Sequence, residues 1–102
     1  MKVIYTKYFY EWIDKKIKDY HFKRQIIKKL EKIEQENFLG DYKNLGHGIF
    51  EIRIFLGSGY RIYFGKHQNI LVVCLIGGDK SSQKIDIEKA RKYWKEFLED
   101  KE

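Results

Sequence analysis

The chain has no proline, a single cysteine, and no glycine outside residues 40–78. Each absence narrows the possibilities. Without proline, turns rest on glycine and asparagine, so the first 39 residues and the last 24 run without interruption. With only Cys74, an intramolecular disulfide and a paired-cysteine metal site are both excluded. Set in an apolar run, Cys74 reads as a small buried hydrophobe. No apolar stretch reaches the roughly 18 residues that a membrane span needs. The opening MKVIYTKYFYEW mixes acids and aromatics and lacks a signal-peptide core, which predicts a cytoplasmic protein, or a phage-encoded one acting in a cytoplasm. No repeat or low-complexity segment is present.

The 102 residues suffice for one domain, spanning 1–102. Hydrophobic residues make up 43% and aromatics 17%, enough for a compact core. Both charge signs are mixed along the chain, which argues against a disordered tail. The net charge of +6 favours a polyanionic partner: nucleic acid, an acidic protein or anionic lipid.

Residues 2–6, KVIYT, predict a short strand. From about residue 8 the period becomes helical through Trp12, Ile13, Ile17 and Tyr20. Asp19 or Tyr20 marks a break. A second helix follows with Phe22, Ile26, Ile27, Leu30 and Ile33 on one face and Lys23, Arg24, Lys28, Lys29 and Lys32 on the other, ending at Asn37 and Gly40. The runs 48–55 and 60–64 alternate around LGSG, as a hairpin does. ILVVCLI (70–76), after a turn at KHQN (66–69), is apolar on both phases and belongs inside the sheet. A final helix over about 82–99 carries Ile87, Ala90, Trp94, Phe97 and Leu98, with Ser81 or Ser82 as its cap. The order is β-α-α-β-β-β-α. This is an α+β fold, a small, mostly antiparallel sheet with helices on one face, a helical hairpin and a C-terminal helix.

If Phe50, Ile52, Ile54, Tyr60, Ile62 and Phe64 face the helices, then Glu51, Arg53, Phe55, Arg61 and Tyr63 share the opposite face. Arg53 and Arg61 become cross-strand neighbours, an arrangement that costs stability of order a few tenths to 1 kcal/mol. Either Glu51 bridges one of them and water serves the other, or the pair forms an anion site suited to bidentate phosphate binding. Asp79 and Lys80 follow at the tip of the inner strand, just before a helix, where anions are favoured. Asp79 is placed to orient Lys80, and Gln83 to donate a hydrogen bond. Among the histidines, His47, between two glycines, is the one to weigh as a general base. Tyr5, Tyr8, Tyr10 and Tyr20 read as core-edge packing.

The run GIFEIRIFLGSGYRIYFGKHQNILVVCLIGGDKSSQKIDIEKARKYW resembles the RelE/ParE superfamily of bacterial toxin–antitoxin toxins. More narrowly, it is similar to the addiction-module killer or HigB-like branch. The carriers are an E-[LI]-R-I strand, a G-x-G-Y-R hairpin, and G-G-D-K-S-x-Q ahead of a D-I-x-x-A helix. The resemblance implies a RelE-like fold and a type II toxin held inactive by a helix-turn-helix antitoxin, in a toxin–antitoxin hetero-oligomer. It implies a ribosome-dependent mRNA endonuclease in which the ribose 2′-hydroxyl attacks the adjacent phosphate, with ribosome and mRNA as partners and neither cofactor nor metal. By position, Arg53, Arg61 and Lys80 match the family's catalytic cations, and Lys43, Glu51, Tyr63, Asp79, Gln83 and Lys84 would surround the substrate. The chain departs from some relatives in having Glu51 where they carry a base, and Ile85 to Ile87 where some carry a tyrosine; Tyr63 or Tyr93 would stand in, and Glu51 or Asp79 is an alternative base. A ParE-like inhibitor of DNA gyrase, or an inactive relative that only binds its antitoxin, are the other functions the resemblance leaves open.

Overall fold

The computed structural model describes residues 2–55, 57, 59–68 and 71–101. The elements are β1 (Lys2–Tyr5), α1 (Lys7–Lys15), α2 (Tyr20–Glu36), β2 (Lys43–Gly46), β3 (Ile49–Ile54), β4 (Tyr60–His67), β5 (Leu71–Gly78), a 3₁₀ turn (Lys80–Ser82) and α3 (Gln83–Lys101). The sheet order is β1-β5-β4-β3-β2, with only β1–β5 parallel. The apolar run around Cys74 therefore lies inside the sheet, as its two-phase hydrophobicity predicts.

The helices start and stop where local chemistry dictates. The Thr6 hydroxyl accepts the Phe9 N–H and caps α1, while also donating to the Leu75 carbonyl at 2.8 Å. Asp19 caps α2 by accepting the His21 and Phe22 N–H groups. Asn37 ends α2 in the left-handed region at φ 55°, which asparagine tolerates well.

Four features depart from the sequence reading. A short edge strand, β2, precedes β3; KNLG has no alternation or β-branched residue to announce it, and its backbone pairing with Ile49–Glu51 alone defines it. Strand β4 continues through His67, so the expected turn begins later; residues 69 and 70 lie outside the described residues, as do 56 and 58 of the LGSG turn. Asp79, not Ser81 or Ser82, caps the 3₁₀ turn that leads into α3.

The fourth departure matters most for function. The helices do not share one face. Trp12 and Phe22 pack edge-on against Tyr60 on the hairpin side, and Trp12 lies over Gly77. Helix α3 lies on the other side, with the Trp94 ring over Gly65 and against Gly48. A tryptophan buries roughly 150–250 Å², so at about 25 cal/mol per Å² the Trp94 contact contributes of order 4–6 kcal/mol as an upper bound. That stabilisation requires the missing side chain at Gly65, where a Cβ would sit inside the ring. A bulge between β4 and β5 sets this geometry: Tyr63 pairs with Ile76 but Phe64 with Cys74, leaving Leu75 as the extra residue. Beyond the bulge, Gly77 is turned to α1 and Gly78 to α3.

Candidate functional site

Both edge strands stop short at the same end of the sheet. Strand β1 pairs β5 only as far as Cys74, and β2 pairs β3 only as far as Glu51. Across this end the register sets Arg53 directly opposite Arg61, and Arg61 opposite Gly78. Lys80 follows two residues beyond Gly78, exposed at the start of the 3₁₀ turn. The next row inward is Lys43, Glu51, Tyr63 and Ile76. Side chains of paired residues share a face, so both rows project to the α3 side.

The two arginines have different surroundings. Arg53 keeps 55% of its side chain exposed, whereas Arg61 keeps 8%. The fully buried Glu51 carboxylate accepts from Arg61 Nε at 2.8 Å and lies 3.7 Å from Arg53 Nε. Arg61 Nη1 also donates to the Gly59 carbonyl at 3.1 Å. Glu51 thus neutralises the repulsion between facing guanidiniums, and it holds Arg61 in one orientation by a charge-assisted hydrogen bond. Glu51 Oε2 and the Tyr63 hydroxyl, both buried, have no hydrogen-bond partner among the described residues. Burial first, then the charges of Glu51 and Asp86, push the Tyr63 phenol well above its ordinary range.

At the other end of the row, Asp79 accepts from the Ser81 N–H at 2.9 Å and the Ser81 hydroxyl at 2.6 Å. The Ser81 hydroxyl bond is the main cause of a lowered Asp79 pKa. The carboxylate is thereby committed to the turn, and no ion pair joins it to Lys80 among the described residues. Gln83 opens α3, half-buried, and Lys84 is exposed beside it. Asp86, known from the sequence only as the first residue of the D-I-x-x-A motif, is buried against bare Gly78 and accepts from the Ser82 hydroxyl at 2.5 Å. Burial raises its pKa. The spacing G-G-D-K-S-S-Q-x-x-D was the signal for it, because a carboxylate four residues after Ser82 on a helix folds back on that serine.

Of the nine residues singled out from the sequence, Arg53, Arg61, Lys43, Glu51 and Tyr63 therefore form one two-row patch. Lys80, Asp79, Gln83 and Lys84 follow around the tip of β5. His47 is elsewhere: it sits at φ 55° in the β2–β3 turn, six residues before Arg53 and so about 20 Å away along the strand. Among the described residues, no group of three or more His, Cys, Asp or Glu side chains is arranged to hold a metal ion, and no helix is long and apolar enough to cross a membrane.

The family profile described as "Phage derived protein Gp49-like (DUF891)" matches residues 12–95. A protein of Haemophilus influenzae called only "Uncharacterized protein" is 41% identical over 86 residues, covering 84% of this chain and 85% of its own length. No solved structure matches the chain.

Proposed function

The chain belongs to the Gp49-like family of phage-derived proteins, within the RelE/HigB-like toxin superfamily, and from that membership we propose that it is the toxin of a type II toxin–antitoxin module that cleaves mRNA on the ribosome. The observation that carries this reading is the cross-strand row Arg53–Arg61–Gly78, with Lys80 just past it, at the end of the sheet where both edge strands stop short. The substrate would be a single RNA strand whose phosphates reach the two exposed cations of this end, Arg53 and Lys80.

In the proposed reaction a ribose 2′-oxygen attacks the adjacent phosphorus in line. A 2′,3′-cyclic phosphate forms, the bond from phosphorus to the 5′-oxygen breaks, and the proton given up by the 2′-hydroxyl to water is replaced from water on the departing 5′-oxygen. The barrier is dominated by geometry and by charge on the phosphorane, so fixed cations are the main requirement. Arg53 and Lys80, both exposed, supply charge that can reach a phosphate. Arg61 lies between them with its guanidinium fixed by Glu51 and Gly59, and such pre-orientation lowers the reorganisation needed as charge develops. Lys43, at the outer end of the second row, and Gln83 and Lys84, at the start of α3, would contact the flanking phosphates. The partner in the resting cell would be a helix-turn-helix antitoxin bound as a hetero-oligomer, and the net charge of +6 favours an acidic surface on it.

Purified protein added to a translation extract, followed by mapping of mRNA 3′ ends with and without ribosomes, tests the reading. Cuts confined to translated message, lost in Arg53→Ala and Lys80→Ala, are expected. Cuts on naked RNA would remove the ribosome from the proposal. Intact message would remove the nuclease. One observation favours the alternative of a non-enzymatic toxin directed at DNA gyrase: Glu51, Arg61 and Tyr63 are buried, where a substrate does not reach them. DNA damage signalling with translation unaffected would establish that alternative.

A further inference from the structure

The middle of α2 and the unpaired edge of β3 enclose a groove of about 480 Å³, of which the proposed reaction uses Arg53 alone. Lys28, Lys29 and Lys32 line it from the helix; Arg53 and Phe55 line it from the strand. Among the described residues, Glu31 is the one acidic side chain in the lining.

Stability does not account for these residues. None of the three lysines forms an ion pair or a hydrogen bond among the described residues. Lys28 and Lys32 are four apart on the helix, where like charges destabilise it. They lie mid-helix, and the last turn of α2 carries no basic residue, so the helix dipole does not explain them either. Phe55 leaves 88% of itself in water, and no ring packs on it among the described residues. An exposed aromatic ring beside unpaired cations is the pairing by which single-stranded nucleic acid is held, base on ring and phosphate on cation.

Continuity with the row of cations fixes the direction. Arg53 belongs to both the groove and the row, and Phe55, just past the end of β3, lines the groove with it. We propose that this α2–β3 groove binds the substrate RNA strand where it leaves the scissile phosphate, with one base stacked on Phe55 and its phosphates on Lys28, Lys32 and Arg53. The proposal rests on the endonuclease reading and names the path its substrate takes. The bare edge of β3 would also accept an added peptide strand, but charged side chains over an edge discourage that pairing.

The test is fluorescence anisotropy with a labelled 2′-O-methyl oligoribonucleotide, which binds without being cut. Phe55→Ala should weaken binding about 5- to 150-fold, the effect of losing one stacked base. Phe55→Trp should restore binding, and Phe55→Leu should not. Lys28→Gln with Lys32→Gln should lower the slope of log affinity against log salt by about 1.4, for two phosphate contacts on a single strand. Because these side chains are largely exposed, an unchanged urea midpoint should accompany each variant. Unaltered affinity and slope would overturn the proposal, as would poly-glutamate displacing the oligonucleotide with the same dependence on Phe55, which would assign the groove to an acidic peptide. If mRNA is cut but binding ignores Phe55 and the lysines, the groove falls and the nuclease stands. If the oligonucleotide binds through the groove and no message is cut, the nuclease falls alone.

Discussion

Replacing Glu51 by glutamine should destabilise the protein far more than removing Arg53. The Glu51 side chain has no solvent exposure, and its Oε1 is the acceptor for a guanidinium that is itself 8% exposed. Glutamine keeps the volume but leaves the Arg61 charge buried without a counter-charge, directly opposite a second arginine. Breaking one side of a buried pair costs about 3–5 kcal/mol. A domain of this size has a total stability of roughly 5–15 kcal/mol, and each kcal/mol moves the midpoint by about 4–8 °C. Glu51→Gln should therefore lower Tm by about 12–40 °C. Arg53, more than half exposed, contributes a screened contact, so Arg53→Ala should cost less than about 1 kcal/mol. Urea unfolding followed by tryptophan fluorescence measures both. Replacing the pair together, Glu51→Leu with Arg61→Met, should recover most of the loss, because the buried charges then vanish jointly. A Glu51→Gln midpoint equal to the wild type, or an Arg53→Ala loss as large as that of Glu51→Gln, would refute the reasoning.

Other perturbations test the packing and the titrating groups. Gly65→Ala should push Trp94 off the sheet, costing about 1–3 kcal/mol and shifting tryptophan emission to the red. Asp86 holds its proton in the folded state above its ordinary value of 3.8, so wild-type stability should fall relative to Asp86→Asn as pH rises from 3.8 through the raised folded value, read from urea midpoints across that window. Asp79, whose pKa is lowered, should act in the opposite sense: its contribution is complete above 3.8 and lost as pH falls through its folded value, which comparison with Asp79→Asn measures. Burial keeps the Cys74 thiol protonated, so a disulfide reagent should modify it only at the rate of unfolding; fast labelling of native protein would contradict the inner position of β5.

The sequence carried β3 and β4 through their alternation, and β5 through its two apolar phases. It also put Arg53 and Arg61 on one face as neighbours, directly opposite or diagonal, because period-2 alternation fixes faces; the register makes them directly opposite. Alternation does not fix depth. Arg61 is on an inner strand beneath the start of α3, whereas Arg53 is on a strand whose outer neighbour stops short, and nothing in the local sequence separates the two cases. The side taken by α3 was equally hidden. Its apolar stripe says that Trp94 is buried, but the layer that receives it depends on Gly65 and on a bulge at Leu75, a one-residue shift that reverses the facing of Gly77 and Gly78. Strand β2 left no pattern because its pairing is made by backbone alone.

The parallel contact between β1 and β5 sets the order in which the molecule is completed during synthesis. Thr6 and Leu75, joined by a hydrogen bond, are 69 residues apart in the chain. While β1 and the α1–α2 hairpin are leaving the ribosome, the strand that completes their layer has not yet been made. Helix α3, which closes over Glu51, Arg61 and Tyr63, follows later still. A partly made chain can form the local β3–β4 hairpin, but its arginines remain in water and its first strand has no partner. Such long-range closure slows folding and leaves apolar surface open in the interval. Pairing of β1 therefore waits for β5, and the layer on the other side of the sheet waits for α3.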